Sequence, residues 1–275
     1  MNQNVIYYPR QAIIKAAARF PTPFFLYDEK RWRQNCRRFT MAFKKFFPNF
    51  QPLFAVKANS NPTLLQITLE EGFGFDCSSK AEVWLAKKLK GTGMHTGNYS
   101  TIDELEYVIN QSRLILNLDD ISQIKTIKKI GPPQTISFRI NPGISKGGMI
   151  SLYTAGPNAK FGVPFEHASE AYSKAKKIGV KHFGIHMMTG SNILDEKYFY
   201  NITAKLLEII AQIKKQTEIE IEFMNIGGGF GVAYKPNEKS LDIEKIARYV
   251  RRAFKEQCDR FKIPPPRLMA EPGRY

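Results

Sequence analysis

The sequence predicts a single (β/α)8 barrel, and three observations point to it. Eight short β-rich runs alternate with helix-sized amphipathic stretches along 275 residues. Strands separated by a helix-length segment must pair in parallel, because a parallel neighbour is reached only through a crossover. Eight such units in about 250 residues is the size at which a parallel sheet closes on itself. The one triple glycine, Gly227–Gly229, follows the seventh run, whereas a doubly wound open sheet carries its glycine-rich turn after the first strand.

Taken in order, residues 1–23 hold Pro9, Pro21 and Pro23 and read as an extended lead-in, leaving 24–275 for the barrel. The predicted strands are Leu53–Lys57, Gly74–Cys77, Met94–Gly97, Leu114–Asn117, Thr135–Ile140, His182–Met187, Glu222–Ile226 and Arg267–Ala270. Between the last three lie two clear helical periods. In Asp195–Glu218, Phe199, Ile202, Leu206, Ile209 and Ile213 recur three and four apart, and in Ser240–Phe261, Ile243, Ile246, Ala247, Val250 and Phe254 do the same. Thr101–Ser112 and Ser122–Ile130 are shorter helices of the same kind. Gly143–Pro164 is a long Gly-, Ser- and Pro-rich connection after strand five, the sort of excursion that on a barrel reads as functional.

Composition narrows the class. Hydrophobic content of 43% with 24% charged residues excludes wholesale disorder. No apolar run approaches the roughly 18 residues of a membrane span, and the N-terminal residues lack the apolar core and cleavage site of a secretory signal. The three cysteines, Cys36, Cys77 and Cys258, are odd in number and widely spaced. That pattern excludes a zinc finger or a disulfide scaffold and suits a reducing cytoplasm. Forty-one Lys and Arg against 25 Asp and Glu give a formal charge of +16. The basic residues fall in short pairs such as Lys87–Lys88, Lys176–Lys177 and Arg251–Arg252, each within an amphipathic segment. They read as solvated helix faces rather than as a nucleic-acid surface.

In a barrel the C-terminal ends of the strands face the active site. Strand one ends in Lys57, strand two in Asp76, strand five in Arg139, and strand six delivers His186 and then Ser191. Strand seven runs into the turn Gly227, Gly228, Gly229, and strand eight into Glu271, Pro272, Gly273 and Arg274. Each has an ordinary reading when taken singly: a surface lysine, a flexible turn. Together they describe a site. Burial is expected to lower the pKa of Lys57 and make its amine a nucleophile for Schiff-base chemistry. Glycine N–H groups can approach a phosphate closely, and Arg274 adds a forked donor. With Glu271 as partner for a pyridinium nitrogen, lysine, phosphate cradle and carboxylate suggest pyridoxal 5'-phosphate. His95, His167, His182 and His186 show no metal-binding spacing, and no metal is expected.

The motifs FAVKANSNP, GFDCSSKAEV, TGN, RINPG, AKFGVP, GIHMMTGSN, NIGGGFG and EPGRY occur in one order from about Pro21 to Tyr275. On them the chain resembles the fold-type III pyridoxal-phosphate decarboxylases, and within these the diaminopimelate branch. The resemblance implies Lys57 as the Schiff-base lysine and Asp76 and Arg139 as a pair near the cofactor's reactive edge. It implies Ser191, Gly227–Gly229 and Arg274 as phosphate ligands, Arg274 also as a substrate contact, and Glu271 as the pyridinium partner. It further implies an amino-acid substrate, a carboxy-lyase reaction yielding L-lysine from meso-2,6-diaminopimelate, and a homodimer in the full-length protein. Carboxynorspermidine, ornithine or arginine decarboxylation, or a cofactor-binding barrel without that activity, are the alternatives. Two departures stand out. Met188 occupies the place of the family's ring-stacking histidine, and the family's C-terminal β domain is missing from these 275 residues, so the chain alone is expected to hold cofactor without decarboxylating.

Overall fold

The computed structural model describes residues 10–111, 113–143, 146–147, 155–156, 159–235 and 237–275. Its strands are β1 (Gln51–Ala55), β2 (Gly74–Cys77), β3 (Gly93–His95), β4 (Leu114–Leu118), β5 (Thr135–Asn141), β6 (His182–His186), β7 (Phe223–Asn225) and β8 (Arg267–Ala270). Each pairs in parallel with the next, and β8 returns to pair with β1 through Gln51 opposite Met269. The sheet is therefore a closed (β/α)8 barrel. Every predicted strand is found, shifted by no more than a residue or two at its ends.

The helices are α1 (Arg10–Arg19), α2 (Glu29–Lys44), α3 (Pro62–Glu70), α4 (Lys80–Lys88), α5 (Ile102–Gln111), α6 (Gln123–Ile130), α7 (Ala168–Lys177), α8 (Glu196–Thr217) and α9 (Ile243–Phe261). The periodic apolar residues of α8 and α9 are the ones buried against the barrel. Asp195 and Asp242 start these two helices by accepting the N–H groups of Lys197 and Lys245, the usual role of an N-terminal aspartate. One expectation fails. Residues 10–19, read as extended, form α1, because Pro21 and Pro23 lie beyond its end and the stretch IIKAAA itself favours a helix. None of its residues is buried. Half of the long connection 143–164 lies outside the described residues. Its return, Val163–Pro164, pairs with Ile140 and Asn141 of β5, and Lys146–Gly147 pairs with Gly190–Ser191. Among the described residues no helix is long and apolar enough to cross a membrane.

Inside the barrel, Leu53, Met94, Phe223 and Met269 form a separate apolar plug, with Ile115 packed against it. Gly184 makes room for it, since a Cβ there would stand 1.9 Å from the Phe223 ring. Side chains two residues further along a strand share the same face. Asn225 and Glu271, two beyond Phe223 and Met269, therefore form the next layer with Thr96 and Asn117. The plug is the floor on which a polar layer is laid.

Outside, Phe230 of the glycine turn stacks on Phe199 at 4.7 Å and meets Phe39 edge-on at 4.9 Å. Phe39, only 1% exposed, also contacts Phe43, Phe50, Phe73 and Tyr275. This cluster nails the turn after β7 to α2 and α8. Phe39→Ala should cost about 3–5 kcal/mol of unfolding free energy, the range for an aromatic deleted from a packed core. Urea denaturation measures it, and a loss under about 1 kcal/mol would show that the cluster does not anchor the turn.

Candidate active site

At the C-terminal mouth of the barrel lies an open cleft of about 530 Å³. Its walls include Lys57, Met188, Ser191, Gly228, Gly229, Glu271, Gly273 and Arg274. The other five predicted residues, Asp76, Arg139, His186, Gly227 and Pro272, are not part of this lining.

Lys57 sits in the single turn Val56–Ala58 that follows β1. Asn61 caps the next helix through the N–H groups of Thr63 and Leu64, and Pro62 occupies its first turn, so the motif KANSNP is a strand end, a turn and a helix start. The Lys57 ammonium donates to Asp76 Oδ2 at 3.0 Å and to Ser78 Oγ at 3.4 Å. The expectation of a lowered lysine pKa is overturned. The side chain is half exposed, and the Asp76 carboxylate raises the Lys57 pKa above the ordinary lysine value against what burial there is. Asp76 itself is buried, and burial, with Glu271 adding to it, pushes its carboxyl up despite Lys57.

Glu271, at the end of β8, is buried. His186 Nε2 lies 3.2 and 3.3 Å from its two carboxylate oxygens, and Asn225 Nδ2 donates to Oε1 at 2.6 Å. Burial pushes this carboxyl up, but His186, Lys57 and Asn225 outweigh it and leave the group below the ordinary range. Arg139 and Asp76, expected as a pair, have separate partners. Arg139 Nη1 donates to Asn98 Oδ1 at 2.9 Å and to Asp119 Oδ1 at 3.4 Å, while the guanidinium lies 5.0 Å from the Phe161 ring centroid. Asp119 Oδ2 also accepts from Gly162 N–H at 3.2 Å, which ties the AKFG segment to the barrel.

The glycine turn is the third part. Gly227 and Gly229 have φ of +70° and +87°, and a Cβ on Gly228 would come within 2.6 Å of the Glu271 carbonyl oxygen. No other residue fits this turn. Gly228 N–H points to the Met188 thioether at 3.4 Å, a weak acceptor that an oxyanion would displace. Arg274 Nη2 donates to Ser191 Oγ at 3.4 Å, and its Nη1 to the Tyr234 hydroxyl. Guanidinium, hydroxyl and a poorly satisfied N–H thus meet on one side of the cleft, a phosphate donor set. On the other side are an amine and a buried ionised carboxylate. Two buried polar atoms behind the wall, Asp76 Oδ1 and His186 Nδ1, have no partner within the described residues. These residues fit pyridoxal phosphate.

Comparison with known proteins agrees. The family model for the pyridoxal binding domain of pyridoxal-dependent decarboxylases matches residues 33–275. The chain belongs to this family, and its cofactor is pyridoxal phosphate. It is 35% identical over 267 residues to a diaminopimelate decarboxylase of Methanothermobacter thermautotrophicus, covering 95% of this chain and 62% of that protein. It is 33% identical to the protein TabA of Pseudomonas amygdali pv. tabaci, covering 93% and 60%. The crystal structure of the Helicobacter pylori diaminopimelate decarboxylase complexed with L-lysine superposes with a TM-score of 0.84 at 28% identity, covering 95% of this chain and 66% of that one. The chain thus spans about three fifths of the length of the curated relatives it matches.

Sequence reasoning missed Asn225, Asn98, Asp119 and Tyr234. Asn225 carried a readable signal: a polar residue in an otherwise apolar strand, two positions before the glycines. The Lys57–Asp76 pair can be checked directly. Asp76→Asn should lower the pKa of the Lys57 amine, because the carboxylate that holds its proton is gone. NMR titration of the reductively methylated protein reads that pKa, and an unchanged value would show that Asp76 does not set it.

Proposed function

We propose that this chain forms the cofactor-binding barrel of a cytoplasmic, homodimeric decarboxylase that converts meso-2,6-diaminopimelate to L-lysine. One observation carries the proposal. A single cleft brings together Lys57, Ser191, Gly228, Gly229, Glu271 and Arg274 from four separate strand ends, and among the proteins this chain is similar to are diaminopimelate decarboxylases. The unpaired cysteines suit a reducing compartment. Lys57 is half exposed, and a second subunit on the open side of the cleft would exclude water from it.

Pyridoxal phosphate, when bound, supplies the electron sink that loss of a carboxylate as CO2 requires. The protein's part follows from the geometry. Lys57 Nζ is the nucleophile that holds the cofactor, and it must first be neutral. Asp76 Oδ2, 3.0 Å away, orients that amine and favours its charged form, so the proton leaves to solvent on the exposed side of Lys57. Glu271, whose carboxyl His186 and Asn225 help to hold below the ordinary range, would favour a protonated ring nitrogen. Ser191, Arg274 and the Gly228 N–H would hold the phosphate, and the Met188 thioether beside that N–H would offer the ring an apolar contact. Lys57 Nζ, beside Asp76 Oδ2, would also be the group in the cleft able to hold a proton for delivery to the substrate.

Borohydride reduction of the cofactor-loaded protein should fix a pyridoxyl group on Lys57, identified by peptide mass mapping. A label on any other lysine would overturn the assignment. CO2 release should be fastest from meso-diaminopimelate, and faster release from ornithine, arginine or carboxynorspermidine would refute the substrate.

A further inference from the structure

Asn225 ends β7 in the barrel interior and is fully buried, with 0% of its surface exposed. Its carboxamide faces two ways. Oδ1 accepts the N–H of Gly227, the first residue of the glycine turn, at 2.9 Å. Nδ2 donates to Glu271 Oε1 at 2.6 Å and lies 3.1 Å from Met94 Sδ in the plug beneath. The orientation of the amide is therefore decided. Gly227 can only donate, so the oxygen must face it, and the NH2 group must face Glu271, which is then an acceptor. A further bond closes the ring: Glu271 N–H donates to the Gly227 carbonyl at 2.8 Å. Carboxylate and turn are tied to each other by one side chain and one backbone hydrogen bond.

We infer that Asn225 is a positioning residue that holds both poles of the cofactor site in one spacing, the Glu271 carboxylate with its charge and the Gly227–Gly229 cradle with its shape. The inference rests on the reading of the cleft as a pyridoxal phosphate site and assigns a role to a residue outside the cleft wall. A phosphorylated ring is a rigid ligand with its phosphate and its nitrogen at a set separation. A site for it gains from fixing its two receptors relative to each other rather than separately.

Two substitutions separate the two bonds. Asn225→Asp is isosteric and keeps an oxygen for Gly227, but it sets a second carboxylate against Glu271, and the two then share a proton. The titratable and charged groups around Glu271 are His186 from β6, Lys57 from the turn after β1, Asp76 from β2 and Arg139 from β5. His186 and Lys57 both lower the Glu271 carboxyl and so work against that sharing. Asn225→Leu removes both bonds.

Both variants and the parent should be prepared in the whole decarboxylase of which this chain is proposed to form the barrel, their folding checked by circular dichroism, and each titrated with pyridoxal phosphate by absorbance. Asn225→Asp should bind the cofactor within about threefold of the parent, because the cradle bond survives. The acid limb of its pH–rate profile should move up by about one unit, since Glu271 now holds a proton to higher pH. Asn225→Leu should bind the cofactor at least about tenfold more weakly, a loss of about 1.4 kcal/mol. A parental pH profile in a folded Asn225→Asp overturns the charge-holding role. Parental cofactor affinity in Asn225→Leu overturns the cradle-holding role. If Asn225→Leu fails to fold, the Asn225→Asp profile alone decides. Failure of the parent to bind pyridoxal phosphate at Lys57 would instead remove the reading of the cleft on which the inference rests.

Discussion

A buried carboxylate at the mouth of a closed barrel is the constraint from which the rest of the site follows. Glu271 carries charge in a place where burial works against it, and an unpaired carboxylate there would take up a proton. The surrounding structure answers with His186 from β6 and the Asn225 amide from β7, both at hydrogen-bonding distance, and with the Lys57 ammonium across the cleft. Each of these partners comes from a different strand. Only a closed parallel barrel brings the C-terminal ends of β1, β6, β7 and β8 around one point. The apolar plug of Leu53, Met94, Phe223 and Met269 closes the barrel directly below and keeps this layer from sinking into an open lumen.

The same logic explains why the other cofactor-facing groups sit where they do. The glycine turn can lie against the Glu271 backbone because it has no side chains to keep it away, and Phe230 pins the far end of the turn into an aromatic cluster with Phe39 and Phe199. Gly273 packs against the Cβ atoms of Ala55 and Ala58. The loop after β8 is thereby docked on the turn that carries Lys57. Met188, in place of a ring-stacking histidine, gives up an ionisable group on one face of the site. His186, the last residue of β6 and two positions earlier, is turned to the Glu271 carboxylate.

Much of this was legible in the sequence, for physical reasons. Strand ends in a barrel are predictable because period-two patterning and turn residues mark them, and Lys57, Asp76, Arg139, His186 and Glu271 were all read from their position at such ends. The shift in Lys57 was not legible. Asp76 is 19 residues away in sequence and meets Lys57 only through the register that sets Ala55 beside Asp76. The partners of Arg139 were not legible for a similar reason, since Asn98 and Asp119 reach it from beyond the ends of β3 and β4. The helix Arg10–Arg19 was missed because prolines on either side outweighed an alanine-rich stretch that they do not interrupt. Asn225 was read as part of strand seven, but its two partners were not legible, because Glu271 meets it only through the pairing of β7 with β8.

The central claim is that Glu271 acts as an ionised partner to the cofactor ring, and Glu271→Gln tests it most directly. The isosteric amide keeps the size of the side chain and removes its charge. Cofactor occupancy, read by absorbance, and CO2 release from meso-diaminopimelate should be measured at the same pH on the variant and its parent, both made in the whole decarboxylase of which this chain is proposed to form the barrel. The account predicts that the variant retains the cofactor on Lys57 and loses about 10²-fold or more in turnover, the scale of removing one preorganised electrostatic partner. Undiminished turnover by a fully loaded Glu271→Gln protein would contradict it.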